Sequence, residues 1–166
     1  ANLCTSFATY VITEPDSLTI SETIIDLLCY NDNTGEVNVI VSGGTPTYTY
    51  AWSGSPSTLS SASNLAAGTY ELTVSDINNC TVTGSYTVTE PDELAITDVI
   101  EDVDCFGGNS GSIDITVVGG TLNYTYLWSN TETTEDISGL IVGNYDLTIS
   151  DFNGCILSSS YTINEP

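Results

Sequence analysis

Apolar and polar positions alternate along most of this chain. Val37, Val39 and Val41 lie on one side of a run whose other side carries Asn38, Ile40 and Ser42. That period of two predicts a half-buried strand. Tyr48, Tyr50 and Trp52 share a face while Thr47 and Thr49 take the other. Tyr70, Leu72 and Val74 form a further inward row, and Tyr86 and Val88 the last. Four matching rows follow: Ile113, Ile115 and Val117; Tyr124, Tyr126 and Trp128; Tyr145, Leu147 and Ile149; Tyr161 and Ile163. Gly43–Gly44, Gly68, Asn78–Asn79 and Asn153–Gly154 punctuate the runs as turns. No stretch has helical periodicity. About seven short strands per 75 residues, with a Trp on a middle strand, predict an all-β, immunoglobulin-like sandwich. Tyr48, Tyr50, Trp52, Tyr124, Tyr126 and Trp128 are then core aromatics. A stacking platform for sugar rings would need them to face outward.

The rows recur because the chain repeats itself. "CTSFATYVITEP" from Cys4, "CTVTGSYTVTEP" from Cys80 and "CILSSSYTINEP" from Cys155 align end to end. "GGTPTYTYAW" from Gly43 returns as "GGTLNYTYLW" from Gly119. Residues 16–91 and 92–166 are two complete repeats, and residues 1–15 read as the last strand of a preceding one. The abrupt end on "TINEP" suggests a piece of something longer.

Charge narrows the partners. There are 22 acidic residues and no Lys, Arg or His, for a net charge of −22. Without cations the chain cannot neutralise a phosphate backbone, so nucleic acid is excluded as a partner. Anionic lipid repels it, and no apolar run is long enough to insert directly into a membrane. Lys and Arg salt bridges are impossible, and trypsin finds no site, which suits a protein exposed to the outside world. With 40% hydrophobic residues the chain can still build cores.

Five cysteines without a Cys-x-x-Cys or a His point to disulfides in an exported protein, not to zinc. Two pairings are open. Within repeats, Cys29 pairs with Cys80 and Cys105 with Cys155. In an immunoglobulin-like unit, however, a first strand over 18–29 runs the length of the sandwich. Cys29 then lies at the bottom and Cys80 at the top, roughly 35 Å apart by strand rise. A disulfide needs a Cα separation of about 4.4–6.8 Å. The favoured scheme therefore joins repeats stacked end to end: Cys29 to Cys155, with Cys4, Cys80 and Cys105 bonded to repeats outside this segment.

"GGTxxYTYxWS", "xGxYxLTxSDxNxC" and a terminal "TEPD" or "NEP" closely resemble the SprB repeat of very long surface adhesins in gliding Bacteroidetes. That repeat is similar in outline to PKD-type immunoglobulin-like domains. The resemblance covers both repeats and the leading fragment. It implies a cell-surface filament or adhesin, secreted by the gliding-associated system, and no catalytic residue. The loop "SGSPSTLSSASNL" departs from "SNTETTEDISGL", being longer and less acidic.

Catalysis lacks its parts. Ser and Thr have no His or Lys to activate them, and no site is marked out to raise a carboxyl pKa for glycoside cleavage. The chain reads as no enzyme. Calcium is the one cofactor left open, because oxygen-rich loops bind hard cations. Asp32, Asn33 and Glu36 in "YNDNTGE" have no acidic counterparts in "FGGNSGS", where Asn109 stands. Glu14, Asp16, Glu90 and Asp92 at the repeat boundaries recur better, and could share a cation with the turns of Asp76 or Asp151. The plainer reading has those aspartates bonding their own turns. Ser17, in Asp16-Ser17-Leu18, resembles a Bacteroidetes O-glycan acceptor.

Three functions follow. The favoured one is a structural and adhesive stretch of a long extracellular filament, concerned with display, surface contact or gliding. Its partners are neighbouring repeats, with other copies of the chain or surface polysaccharide as further candidates. The alternatives are a carbohydrate-binding accessory array of an exported enzyme, and a calcium-dependent adhesion rod.

Overall fold

The computed structural model describes residues 6–166, and every regular element among them is a strand. The first repeat contributes β1 (Thr19–Ile25), β2 (Gly35–Ser42), β3 (Thr49–Trp52), β4 (Ser61–Leu65), β5 (Gly68–Ser75) and β6 (Thr81–Val88). The second contributes β7 (Ala95–Glu101), β8 (Gly111–Val118), β9 (Thr125–Trp128), β10 (Ile137–Leu140), β11 (Gly143–Ser150) and β12 (Ile156–Ile163). The sheets are ordered β1-β2-β4 and β3-β5-β6, then β10-β8-β7 and β12-β11-β9. That is the A-B-E and C-F-G arrangement of an immunoglobulin-like sandwich, with the Trp on strand C.

Each repeat has six strands where the sequence pattern suggested about seven. The missing one is strand D. Its place is taken by the loops 53–60 and 129–136, rich in Ser and Thr and poor in alternating apolar residues. Trp indoles hold these loops instead of a ladder. Trp52 Nε1 donates to the Leu59 carbonyl and Trp128 Nε1 to that of Thr134, both at 2.9 Å. The first strand is also shorter than 18–29. β1 ends at Ile25, and Leu27 N donates to the Thr89 carbonyl at 3.0 Å, so the chain leaves β2 for the end of β6.

By its internal contacts the chain divides into two compact units. The first comprises the described residues up to Ile24, Val37–Ala62 and Thr69–Tyr86; the second comprises Ile25–Glu36, Ser63–Gly68 and Thr87–Pro166. This division cuts across the first repeat and does not fall at residue 91. In the first unit Val37, Val39, Trp52, Ala62, Tyr70, Leu72, Val74 and Tyr86 are buried, with the Trp52 and Tyr86 rings 5.9 Å apart. In the second, both sheets feed one core in which Trp128, Ile113, Leu147, Ile149 and Ile163 are almost wholly enclosed. Trp128 and Tyr161 lie 5.7 Å apart there. Tyr48, Tyr50, Tyr124 and Tyr126 are half-buried at the core margins.

The repeated Gly-Gly has a packing reason. Gly43 and Gly119 adopt φ of 79° and 80°, in the left-handed region open to glycine. A Cβ at Gly43 would collide with the Ser17 carbonyl, and one at Gly119 with that of Glu93. The incoming chain lies directly on the turn, fastened by Gly44 N to Asp16 O (2.6 Å) and Gly120 N to Asp92 O (2.7 Å). Tyr48 and Tyr124 clamp the other side, each hydroxyl donating to the carbonyl of Gly43 or Gly119 at 2.6 Å.

Residues 6–15 were expected to form a last strand, but they are exposed and carry none. Their counterparts β6 and β12 are strands because β5 and β11 lie beside them. No such neighbour is available to residues 6–15 among the described residues.

Candidate functional site

The recurrent polar chemistry lies in two loop types. The first is the turn "SDxNxC". Asp76 Oδ1 accepts from Asn78 N and Cys80 N, and Oδ2 from Thr45 N, all at 2.9 Å. Asp151 repeats the pattern with Asn153 N and Cys155 N at 2.9 Å and Thr121 N at 2.8 Å. These two carboxylates are the only buried charged side chains among the described residues. In a chain without cations, backbone N–H groups do the compensating. The Thr45 N–H foremost, then those of Cys80 and Asn78, hold Asp76 below the ordinary carboxyl value against the opposing effect of burial.

The second loop follows β1 and β7 and carries Cys29 or Cys105. Asp32 organises the first copy, accepting from Cys29 N (2.9 Å), Thr34 N (2.9 Å) and the Thr34 hydroxyl (2.7 Å). The Thr34 hydroxyl is the main cause of its lowered pKa; burial opposes, and backbone donors including Cys29 N and Thr34 N assist. The Glu of each terminal Glu-Pro caps the loop of its own repeat. Glu90 Oε2 accepts from Asn31 N at 2.7 Å, and Glu165 Oε2 from Gly107 N at 2.8 Å. Reading the boundary acids only as junction or calcium groups missed this. Its signal was the recurrence of Glu-Pro, 59 residues after the capped residue in the first repeat and 58 in the second.

The two loop types meet within the second unit. Cys29 and Cys155 form a disulfide with Cα atoms 5.6 Å apart, across a sequence separation of 126. Asn153 Nδ2 donates to the Leu28 carbonyl at 3.0 Å and to Thr121 Oγ1 at 3.1 Å. Beside the disulfide is a cleft of about 440 Å³ lined in part by Tyr30, Asp92, Leu94, Gly120 and Leu157. Cys80 and Cys105 are exposed free thiols. Cys4 lies outside the described residues.

The remaining candidates are dispersed. Asp76 and Asp151 give their oxygens to turns and Glu90 to the Cys29 loop, while Asp16 and Asp92 act through their backbone carbonyls. Glu14 and Ser17 are exposed. No three His, Cys, Asp or Glu side chains gather as a metal set among the described residues. Trp52 and Trp128 lie inside the sandwiches. Burial first, and then Glu135, raises the Tyr126 hydroxyl to about 12. Among the described residues, no helix is long and apolar enough to cross a membrane.

No curated protein matches the chain. Among solved structures it is similar to an amphioxus IgVJ-C2 molecule (15% identity, 92% of this chain, 98% of that one, TM-score 0.35). It is also similar to murine CEACAM1b (12% identity, 89% of this chain, 100% of that one, TM-score 0.34). A third is a Dscam chain (13% identity, 90% of this chain, TM-score 0.34), of which this chain spans 47%. Likenesses this distant add nothing to the strand order. The SprB repeat model matches residues 21–57 and 97–133. These segments run from β1 and β7 through the cysteine loop, the Gly-Gly turn and the Tyr-Thr-Tyr-x-Trp strand to the loop that replaces strand D. Such repeats mark a cell-surface repeat region of adhesin type. The chain carries two SprB repeats.

Proposed function

We propose that this chain is a length-building section of a secreted adhesin or filament, holding contact surfaces away from the cell that makes it. The observation that carries this reading is the Cys29–Cys155 disulfide, which ties a loop of one SprB repeat to a turn of the next. A joint of that kind suits a chain that bears load. The polar chemistry agrees with it. The buried carboxylates hold backbone N–H groups, and the Tyr-Thr-Tyr-x-Trp residues serve the core. Neither leaves a catalytic set or an outward aromatic platform from that motif. The shortage of cations keeps the surface soluble and self-repelling.

Labelling of intact cells that produce the protein tests the reading, using an antibody to residues 16–166. The expected result is labelling without permeabilisation, with loss of surface attachment or movement when the repeats are deleted. Labelling that needs permeabilisation would overturn it.

A further inference from the structure

The free thiols Cys80 and Cys105 occupy the positions that Cys155 and Cys29 occupy in the bonded pair. Cys80 N donates to Asp76 Oδ1 at 2.9 Å, as Cys155 N does to Asp151 Oδ1. The Cys105 loop is capped by Glu165 as the Cys29 loop is capped by Glu90. Asn78 Nδ2 bonds Thr45 Oγ1 at 3.1 Å, as Asn153 Nδ2 bonds Thr121 Oγ1. Asn153 Nδ2 also reaches the carbonyl of Leu28, which immediately precedes Cys29. The ring after Cys29, Tyr30, lines the cleft at the disulfide and is 46% exposed, whereas Phe106 after Cys105 is 82% exposed.

We propose that Cys105 with Phe106, and Cys80 with Asn78, are the two halves of this same joint, and that a second copy of the chain completes it. Cys105 of one copy bonds Cys80 of the next, and Asn78 Nδ2 takes the carbonyl of Asp104. The proposal rests on the filament reading given above and gives that filament its partner chemistry. The contact uses different surfaces on its two sides, so it does not close on itself and propagates into an open line. The oxidant is a small disulfide such as oxidised glutathione. The Cys105 thiolate attacks one of its sulfurs, forming a mixed disulfide and releasing one glutathione. The Cys80 thiolate of the second copy then attacks the mixed disulfide, forming the protein–protein bond and releasing the other. Two protein thiols are oxidised and one glutathione disulfide is reduced. Repulsion between copies of charge −22 makes the reaction faster in high salt.

The test uses the full chain with Cys4→Ser throughout, in a glutathione redox buffer at high salt. The parent is expected to give a ladder of oligomers on non-reducing gels. Cys80→Ser alone and Cys105→Ser alone should stay monomeric. An equimolar mixture of those two should give a dimer containing a Cys80–Cys105 peptide, and Phe106→Ser should slow the ladder. Both thiols are exposed, and retention of the Cys29–Cys155 peptide confirms that each variant is folded. A mixture that stays monomeric would overturn the proposal, as would an intrachain Cys80–Cys105 pair or homodimers in the single variants as abundant as the mixed dimer. Such a failure leaves the surface reading untouched, because that reading stands or falls on cell labelling.

Discussion

Cys29 and Cys155 are separated by 126 positions and bonded with their Cα atoms 5.6 Å apart, and Cys155 Sγ also lies 3.4 Å from the Leu28 carbonyl oxygen. In the loop-entropy picture, closing a loop of that length contributes about 4–5 kcal/mol. Cys29→Ser with Cys155→Ser should therefore lower the unfolding midpoint in urea markedly, while Cys80→Ser should leave it unchanged. Equal midpoints for the bonded and unbonded proteins would show that the bond carries no stability.

The cysteine pairing was legible because strand direction places the end of a first strand and the last turn at opposite ends of a sandwich. That held although β1 stops at Ile25, since the chain continues the same way past Leu27 to Thr89. The inward rows were legible for the same reason, a period of two over eight-residue strands such as β5 and β11. Strand D was over-counted because turn-rich loops of ordinary length look alike whether or not they pair. The tasks of Glu90 and Glu165 were hidden, because each acts on a loop about 60 residues away in sequence, where no local pattern reaches.

Trp128 is 1% exposed at the centre of the second core. Trp128→Ala should cost about 3–5 kcal/mol, comparable with the whole stability of a domain this small. Trp128→Phe should cost less, losing chiefly the bond to the Thr134 carbonyl. Urea unfolding followed by circular dichroism distinguishes them; a Trp128→Ala protein as stable as the parent would refute the core assignment.

Two glycines separate backbone conformation from crowding. Gly119 and Gly154 have φ of 80° and 83°, but only at Gly119 would a Cβ strike another segment, the Glu93 carbonyl. Gly154→Ala should cost about 1–2 kcal/mol for the left-handed backbone alone. Gly119→Ala should cost clearly more. Equal losses in thermal melts would mean that the incoming chain does not rest on the turn.

Asp76 predicts the acid behaviour of the first SDxNxC turn. Its pKa is lowered from 3.8, so the stability it confers is complete above that value and is lost as pH falls through the lowered folded value. Asp76→Asn should be less stable than the parent at neutral pH, and the gap should shrink below about pH 4 as the parent's carboxylate takes up a proton. A gap constant from pH 7 to pH 2 would remove the carboxylate from the account.

The account as a whole depends on a bond between successive repeats and not within them. Peptide mapping without reduction tests it most directly, using a Glu-specific protease because the chain lacks Lys and Arg. Cuts at Glu36, Glu71, Glu101, Glu132 and Glu135 place Cys29, Cys80, Cys105 and Cys155 in separate peptides. The account predicts a Cys29–Cys155 peptide pair that separates on reduction; a Cys29–Cys80 or Cys105–Cys155 pair would contradict it.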